Sequence, residues 1–174
     1  MTREEAVQRI ERAAERKLIE LSLCGLELEE LPPEIVKCTQ LETLLVGRVD
    51  KKVGESIWNK LSEFPDAVFQ LTNLKRLDLG ENQITSIPDA IGQLSNLNTL
   101  CLGKNQITQI PEVLEQLSNL RELDLGNNQI TSIPEALGQL SNLETLYLDR
   151  NQITSIPEAL TQLPKLKIFG LQPL

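Results

Sequence analysis

The chain has 174 residues, 40% hydrophobic and 24% charged, a balance that fits about one soluble globular domain. A formal charge of −8 with no histidine argues against ligands held by phosphate neutralisation and excludes His-dependent nucleophilic triads, so nucleic acid is not an expected partner. Aromatic residues are only 3%, so burial has to come from Leu, Ile, Val and Ala, whose uniform side chains suit stacked layers better than one irregular core.

In chain order, Met1 leads into TREEAVQRIERAAERK rather than a signal peptide, and no apolar run approaches the roughly 18 residues of a membrane span. Residues 1–16 read as a helix in which Val7, Ile10, Ala14 and Leu18 share a face, with Thr2 and Glu5 as a capping box. This helix is expected to cap the remainder, residues 17–174, at its N-terminal end. KLIELSLCGLELEELPPEI follows, with leucines at fixed spacing. A related segment starting at Leu41 and returning to register at Asn59, Leu61, Phe64 and Pro65 is interrupted by about ten extra residues, an insertion at about 47–58. Trp58, near its return, is a candidate anchor for it.

From Leu71 the chain nearly copies itself with a period of 23: LTNLKRLDLGENQITSIPDAIGQ is followed by three close variants and a shortened LPKLKIFGLQPL. Alternation at Leu77 and Leu79 predicts a short strand with both leucines pointing into the core. Asn82 ends it, where an amide that donates and accepts can satisfy backbone groups left open by a turn; Asn59, Asn105, Asn128 and Asn151 repeat that role, and Leu26 replaces it in the first copy. Asn127, beside Asn128, is expected to be a plain surface residue. Ile87 and Pro88 then set an extended residue before a proline that opens a short α or 3₁₀ turn on the convex side. The last copy is incomplete and uncapped: either Phe169 and Leu171 meet a neighbour, which allows self-association, or the chain is part of something longer.

The pattern LxxLxLxxNxIxxIPxxI resembles the leucine-rich repeat over nearly the whole chain after its helical start. That resemblance implies an α/β solenoid, a horseshoe of about seven 23-residue repeats with a parallel concave sheet. More narrowly, the opening helix, ELSLCGLELEELPPEI and LETLLVG…WNKLSEFP are similar to the N-terminal repeats of bacterial, cyanobacterial-type Roco proteins. In that family such repeats precede a Ras-like GTPase domain and engage partners or regulate it.

Chemistry-bearing motifs are otherwise few. Cys24, Cys38 and Cys101 form no CxxC pair and leave an odd thiol, so buried free thiols in a reducing, cytoplasmic setting are expected, with no metal and no cofactor. Gly103 and Lys104 lack the remainder of a phosphate loop. The acids after each proline, Asp89, Glu112, Glu135 and Glu158, lie on separate copies at favourable helix-start positions.

The copies differ instead at the outward strand positions. One column reads Glu20, Thr43, Arg76, Thr99, Glu122, Thr145, Ile168, and the other Ser22, Leu45, Asp78, Cys101, Asp124, Tyr147, Gly170. The candidate partner-binding residues are Arg76, Asp78, Cys101, Lys104, Glu122, Asp124, Tyr147, Asp149 and Arg150, with the single tyrosine as the centre. The expected function is a non-catalytic scaffold whose partner is another protein, with neither nucleic acid nor membrane involved. Two alternatives are a substrate-recruiting arm of a ligase-type effector and a receptor-ectodomain-like ligand binder.

Overall fold

A computed structural model of the chain describes residues 2–47 and 58–170. Helix α1 (Thr2–Glu15) is followed by seven three-residue strands: β1 (Glu20–Ser22), β2 (Thr43–Leu45), β3 (Arg76–Asp78), β4 (Thr99–Cys101), β5 (Glu122–Asp124), β6 (Thr145–Tyr147) and β7 (Lys167–Phe169). They form one parallel sheet in chain order, Leu21, Leu44, Leu77, Leu100, Leu123, Leu146 and Ile168 standing side by side. A single 3₁₀ turn returns the chain along the back in five copies, and helix α2 (Glu158–Thr161) does so in the last complete one.

The return is short for a local reason. Pro88 holds φ −76° and ψ 154°, the turn opens at Asp89, and the Leu94 N–H closes it by donating to the Ile91 carbonyl at 3.0 Å. One turn delivers Ile91 to the core, where it is completely buried with Leu94 and Leu97. Proline pre-sets the entry and supplies no N–H that would need a partner at the first turn.

Two ladders of amides tie the copies together. Asn128 Oδ1 accepts from the Ile107 N–H at 3.0 Å, while Nδ2 donates to the Leu102 and Leu125 carbonyls, each at 3.0 Å. Asn59, Asn82 and Asn105 bridge adjacent copies in the same way and are buried. The second ladder escaped the reading of the sequence. In each copy the asparagine of the TNL or SNL triplet donates to a carbonyl of the preceding one: Asn73 to Thr39, Asn96 to Thr72, Asn119 to Ser95 and Asn142 to Ser118, at 2.8–2.9 Å.

At the N-terminal end Ile10 is fully buried as expected, together with Ala6 and Ala13, while Ala14 packs only partly against the core, Val7 is half-buried and Leu18 is exposed. The helix stops at Glu15 and Lys17 turns into the left-handed region (φ 51°), so Leu18 leaves the helical phase and is 39% exposed. Small Ala6 and Ala13 allow close approach to the first turn of the solenoid. The expected capping box needs the Thr2 side chain, which lies outside the described residues; Glu5 Oε1 accepts from Arg9 Nη2.

The seventh strand departs from the 23-residue register. Spacing places Phe169 and Leu171 inward and Ile168 and Gly170 in the concave columns. The observed pairing is Leu146 with Ile168 and Tyr147 with Phe169, one residue earlier, so Lys167 and Phe169 face outward. A one-residue slip reverses every side chain of a strand. Here it turns β-branched Ile168 towards the core and lays Phe169 on Tyr147. It also puts Gly170, at φ +84°, against the Asp149 backbone, where a Cβ would collide.

Most of the insertion, residues 48–57, lies outside the described residues, as do 171–174. Its described flanks remain in the stack: Gly47 and Asn59 are buried. Trp58 is 47% exposed, and the insertion it was expected to anchor lies outside the described residues.

Candidate functional site

Strand alternation sends the first and third residues of β3–β7 to the concave side, and the turns after them curl up to form one rim. The result is a groove of about 570 Å3 lined by Arg76, Asp78, Glu81, Cys101, Lys104, Glu122, Asp124, Asn127, Tyr147 and Asp149, with Gly80, Gly103 and Gly126 along its floor. Eight of the nine sequence-derived candidates therefore converge. Arg150 does not line the groove; it is exposed on the rim, and its Nη1 donates to Asn127 Oδ1 at 3.3 Å.

The glycine column decides where the carboxylates lie. Asp78 Oδ1 accepts from the Gly80 N–H at 3.0 Å and Asp124 Oδ1 from the Gly126 N–H at 2.9 Å, so each aspartate folds back on its own strand end. A Cβ at Gly103 would come within 2.9 Å of both Asp124 carboxylate oxygens, and one at Gly126 would collide with Asp149 Oδ1. Glycine leaves room for the acids to lie this low on the sheet; any Cβ there would push the carboxylates off these positions.

Burial raises the Asp124 pKa above the usual carboxylate range; the Gly126 N–H opposes that shift, and Asp149, Asp78 and Glu122 add to it. Burial likewise pushes the Cys101 thiol up to about 12, with Asp78 adding to the shift and Arg76 opposing it. Cys101 is thus a protonated thiol in the groove wall, a poor nucleophile. Cys24 and Cys38 are buried free thiols whose pKa values are also raised by burial. Among the described residues no group of three or more acids or cysteines is arranged to hold a metal ion.

The rim is more ordered than its sequence suggests. Glu81, Lys104, Asn127 and Arg150 all adopt left-handed φ values of 52–56°. This aims the first three N–H groups at the Gly103, Gly126 and Asp149 carbonyls of the next copy, at 2.9, 2.8 and 2.6 Å. Asn127 is therefore not a plain surface residue: its Nδ2 also donates to Asp149 Oδ2 at 3.1 Å. Lys104 Nζ pairs with Glu81 Oε1 at 2.5 Å.

Sequence reasoning missed Phe169 by assigning it to the core. Its ring stacks on Tyr147 with centroids 5.1 Å apart and an interplanar angle of 21°, and it remains 45% exposed. The available signal was Ile168, whose β-branched side chain is better suited to the inward position two residues after Leu166.

Fold and groove define a class: a leucine-rich-repeat solenoid presenting a curved sheet. The family described as leucine rich repeats (2 copies) matches residues 72–116, 95–140 and 118–161, together more than half of the chain. The chain belongs to the leucine-rich-repeat family. No protein of curated function matches it.

Among solved structures it resembles a leucine-rich-repeat protein of Leptospira interrogans with a TM-score of 0.81 and 32% identity, covering 92% of this chain and 39% of that one. An internalin from Listeria monocytogenes matches at TM-score 0.65 and 31% identity, covering 89% of this chain and 48% of that one. A plant peptide hormone receptor, RGFR1 in complex with RGF2, matches at TM-score 0.65 and 32% identity, covering 82% of this chain and 26% of that one. The chain thus spans less than half the length of each of these structures. No helix among the described residues is long and apolar enough to cross a membrane.

Proposed function

We propose that this chain is a non-catalytic protein-recognition scaffold that works in the cytoplasm and binds its partner in the concave groove. The observation that carries this reading is the contrast between two sets of positions in the same copies. Inward residues are almost uniform: Leu77, Leu100, Leu123 and Leu146 are all completely buried. The outward residues beside them, Asp78, Cys101, Asp124 and Tyr147, alternate acid with thiol and phenol and meet in one groove. A scaffold that keeps its core constant and varies one face supports recognition at that face. The plant receptor bound to RGF2 shows that a solenoid of this kind holds a ligand in its own case. Free Cys24, Cys38 and Cys101 support the cytoplasmic setting.

Tyr147→Ala should weaken partner binding by about 2 kcal/mol or more, as for aromatic anchors at interface centres, while leaving Leu146 and Leu148 packed. Convex, exposed Glu135→Ala should change it little. Calorimetry of both variants against a partner recovered by affinity capture tests this; loss with Glu135→Ala and not Tyr147→Ala would move the site to the convex side.

The similarity of the opening helix and the interrupted second copy to Roco repeats supports a finer proposal, a regulatory arm for a Ras-like GTPase domain. Titration with a purified Roc domain from a bacterial Roco protein tests it, and absence of binding would retire it.

A further inference from the structure

We propose that the concave groove recognises an extended cationic peptide segment, with guanidinium groups held by Asp124 and Asp149 and stacked on the Tyr147–Phe169 rings. This rests on the concave-face reading and adds the chemistry of the ligand.

The groove's own charges call for a cation. Five carboxylates line it, from Asp78, Glu81, Glu122, Asp124 and Asp149, against two cations, Arg76 and Lys104. The nearby cations leave the Asp124–Asp149 pair unmatched: Lys104 pairs with Glu81, Arg150 donates to Asn127, and Arg76 Nη2 lies at 3.9 Å from Cys101 Sγ. Among the described residues no ion pair reaches Asp78, Asp124 or Asp149. Their carboxylates are nevertheless fixed in place, since Asp124 is held by the Gly126 N–H and Asp149 by Asn127 Nδ2. A pre-positioned acid pair without a counter-ion gains most from a charged donor.

The aromatic pair selects among cations. Phe169 and Tyr147 offer a stacked, half-open ring surface at the end of the acid column. A guanidinium is planar, stacks on rings and bridges carboxylates, which an ammonium does less well. The row Asp78, Cys101, Asp124, Tyr147, Phe169 crosses five paired strands. At about 4.8 Å per strand it spans about 19 Å, the length of about six extended residues.

Acetylated, amidated hexaarginine is therefore a suitable probe, titrated by calorimetry into the full chain at physiological salt, with hexalysine and hexaglutamate in parallel. The expected order is hexaarginine over hexalysine, with no binding of hexaglutamate. Asp124→Asn with Asp149→Asn should weaken hexaarginine about tenfold or more, since a desolvated charge pair is lost. Asparagine retains the Oδ1 that accepts from Gly126, and a cooperative circular dichroism melt no lower than that of the wild type confirms folding. Glu112→Gln with Glu135→Gln removes the same charge from the convex side and should cost less than about twofold. Phe169→Ala should reduce hexaarginine binding more than hexalysine binding. Equal losses in the two double variants, or no binding to the wild type, would overturn the proposal. Should hexaarginine fail while Tyr147→Ala still abolishes partner binding, the ligand class falls and the concave site stands; should Tyr147→Ala have no effect on the partner, the concave reading itself falls.

Discussion

The two ends of the solenoid use similar residues and reach different states. At the first end α1 lies over the stack: Cys38 Sγ donates to the Ile10 carbonyl at 3.5 Å, Lys37 pairs with Glu11 at 2.6 Å, and Leu23 and Ile35 are completely buried. Gln40 occupies the position of the second asparagine ladder, and its longer arm reaches the Ala13 and Leu18 carbonyls of the cap at 3.3 and 3.0 Å. At the other end Lys165 occupies that position. Ile130 of the fifth copy and Leu140 and Leu143 of the sixth are completely buried, whereas their counterparts one copy later, Ile153, Leu163 and Leu166, are only partly so. The residue types are alike, so the neighbour, and not the side chain, determines burial in a stack of this kind.

Core truncations probe this contrast with the largest effects. Ile10→Ala removes a fully buried side chain at the closed end and should cost about 2–5 kcal/mol, whereas Ile168→Ala at the open end should cost about 1 kcal/mol or less. Urea melts compare them, and equal losses would break the distinction. Ladder variants should follow at intermediate size. Asn128→Ala orphans buried backbone groups and should cost about 1–3 kcal/mol. Asn151 makes the corresponding bonds to Ile130, Leu125 and Leu148 in a half-exposed setting, where water replaces lost partners, so Asn151→Ala should cost visibly less in the same melts.

Smaller effects sharpen the picture. Lys165→Asn should extend the second ladder by one rung, to the Ser141 carbonyl, and add about 0.5 kcal/mol, the low end for an exposed hydrogen bond; a loss of stability would contradict the rung. Asp124→Asn should raise stability slightly at pH 7. A carboxyl whose native pKa is raised favours the protonated native state, so its contribution is present below the unfolded pKa and is lost as pH rises through the native one. The advantage of the asparagine should therefore fade on acidification through the aspartate range, which thermal melts at stepped pH would show.

Much of this was legible in the chain. Leucine spacing specified the strands, Asn82, Asn105 and Asn128 the buried ladder, and alternation put Asp124 and Tyr147 on the concave side. The departures occur where a neighbour or a backbone angle decides. Ala6 and Ala13 replaced Val7 and Ala14 because the phase of a lone helix depends on what it caps. Phe169 moved outward because, in a strand paired on one side among the described residues, a single skipped residue costs little and gains a ring contact. Asn127 gained a role because a left-handed φ is not written in its residue type, and the Asn73 to Asn142 ladder was hidden within a motif whose leucines drew the reading.

The most direct test of the closed-end, open-end account is native-state hydrogen exchange at chemically matched amides. The Leu23, Leu102 and Leu148 N–H groups each donate to the next strand, to Leu45, Asp124 and Phe169, at 2.8, 2.8 and 2.9 Å. Bond length alone would protect all three alike. Leu23, beneath the cap, should exchange as slowly as central Leu102, while Leu148 should exchange markedly faster through opening of the last copy. Matching fast exchange at Leu23 and Leu148 would show that α1 does not close its end, and uniform slow exchange would contradict the weaker packing of the last described copy.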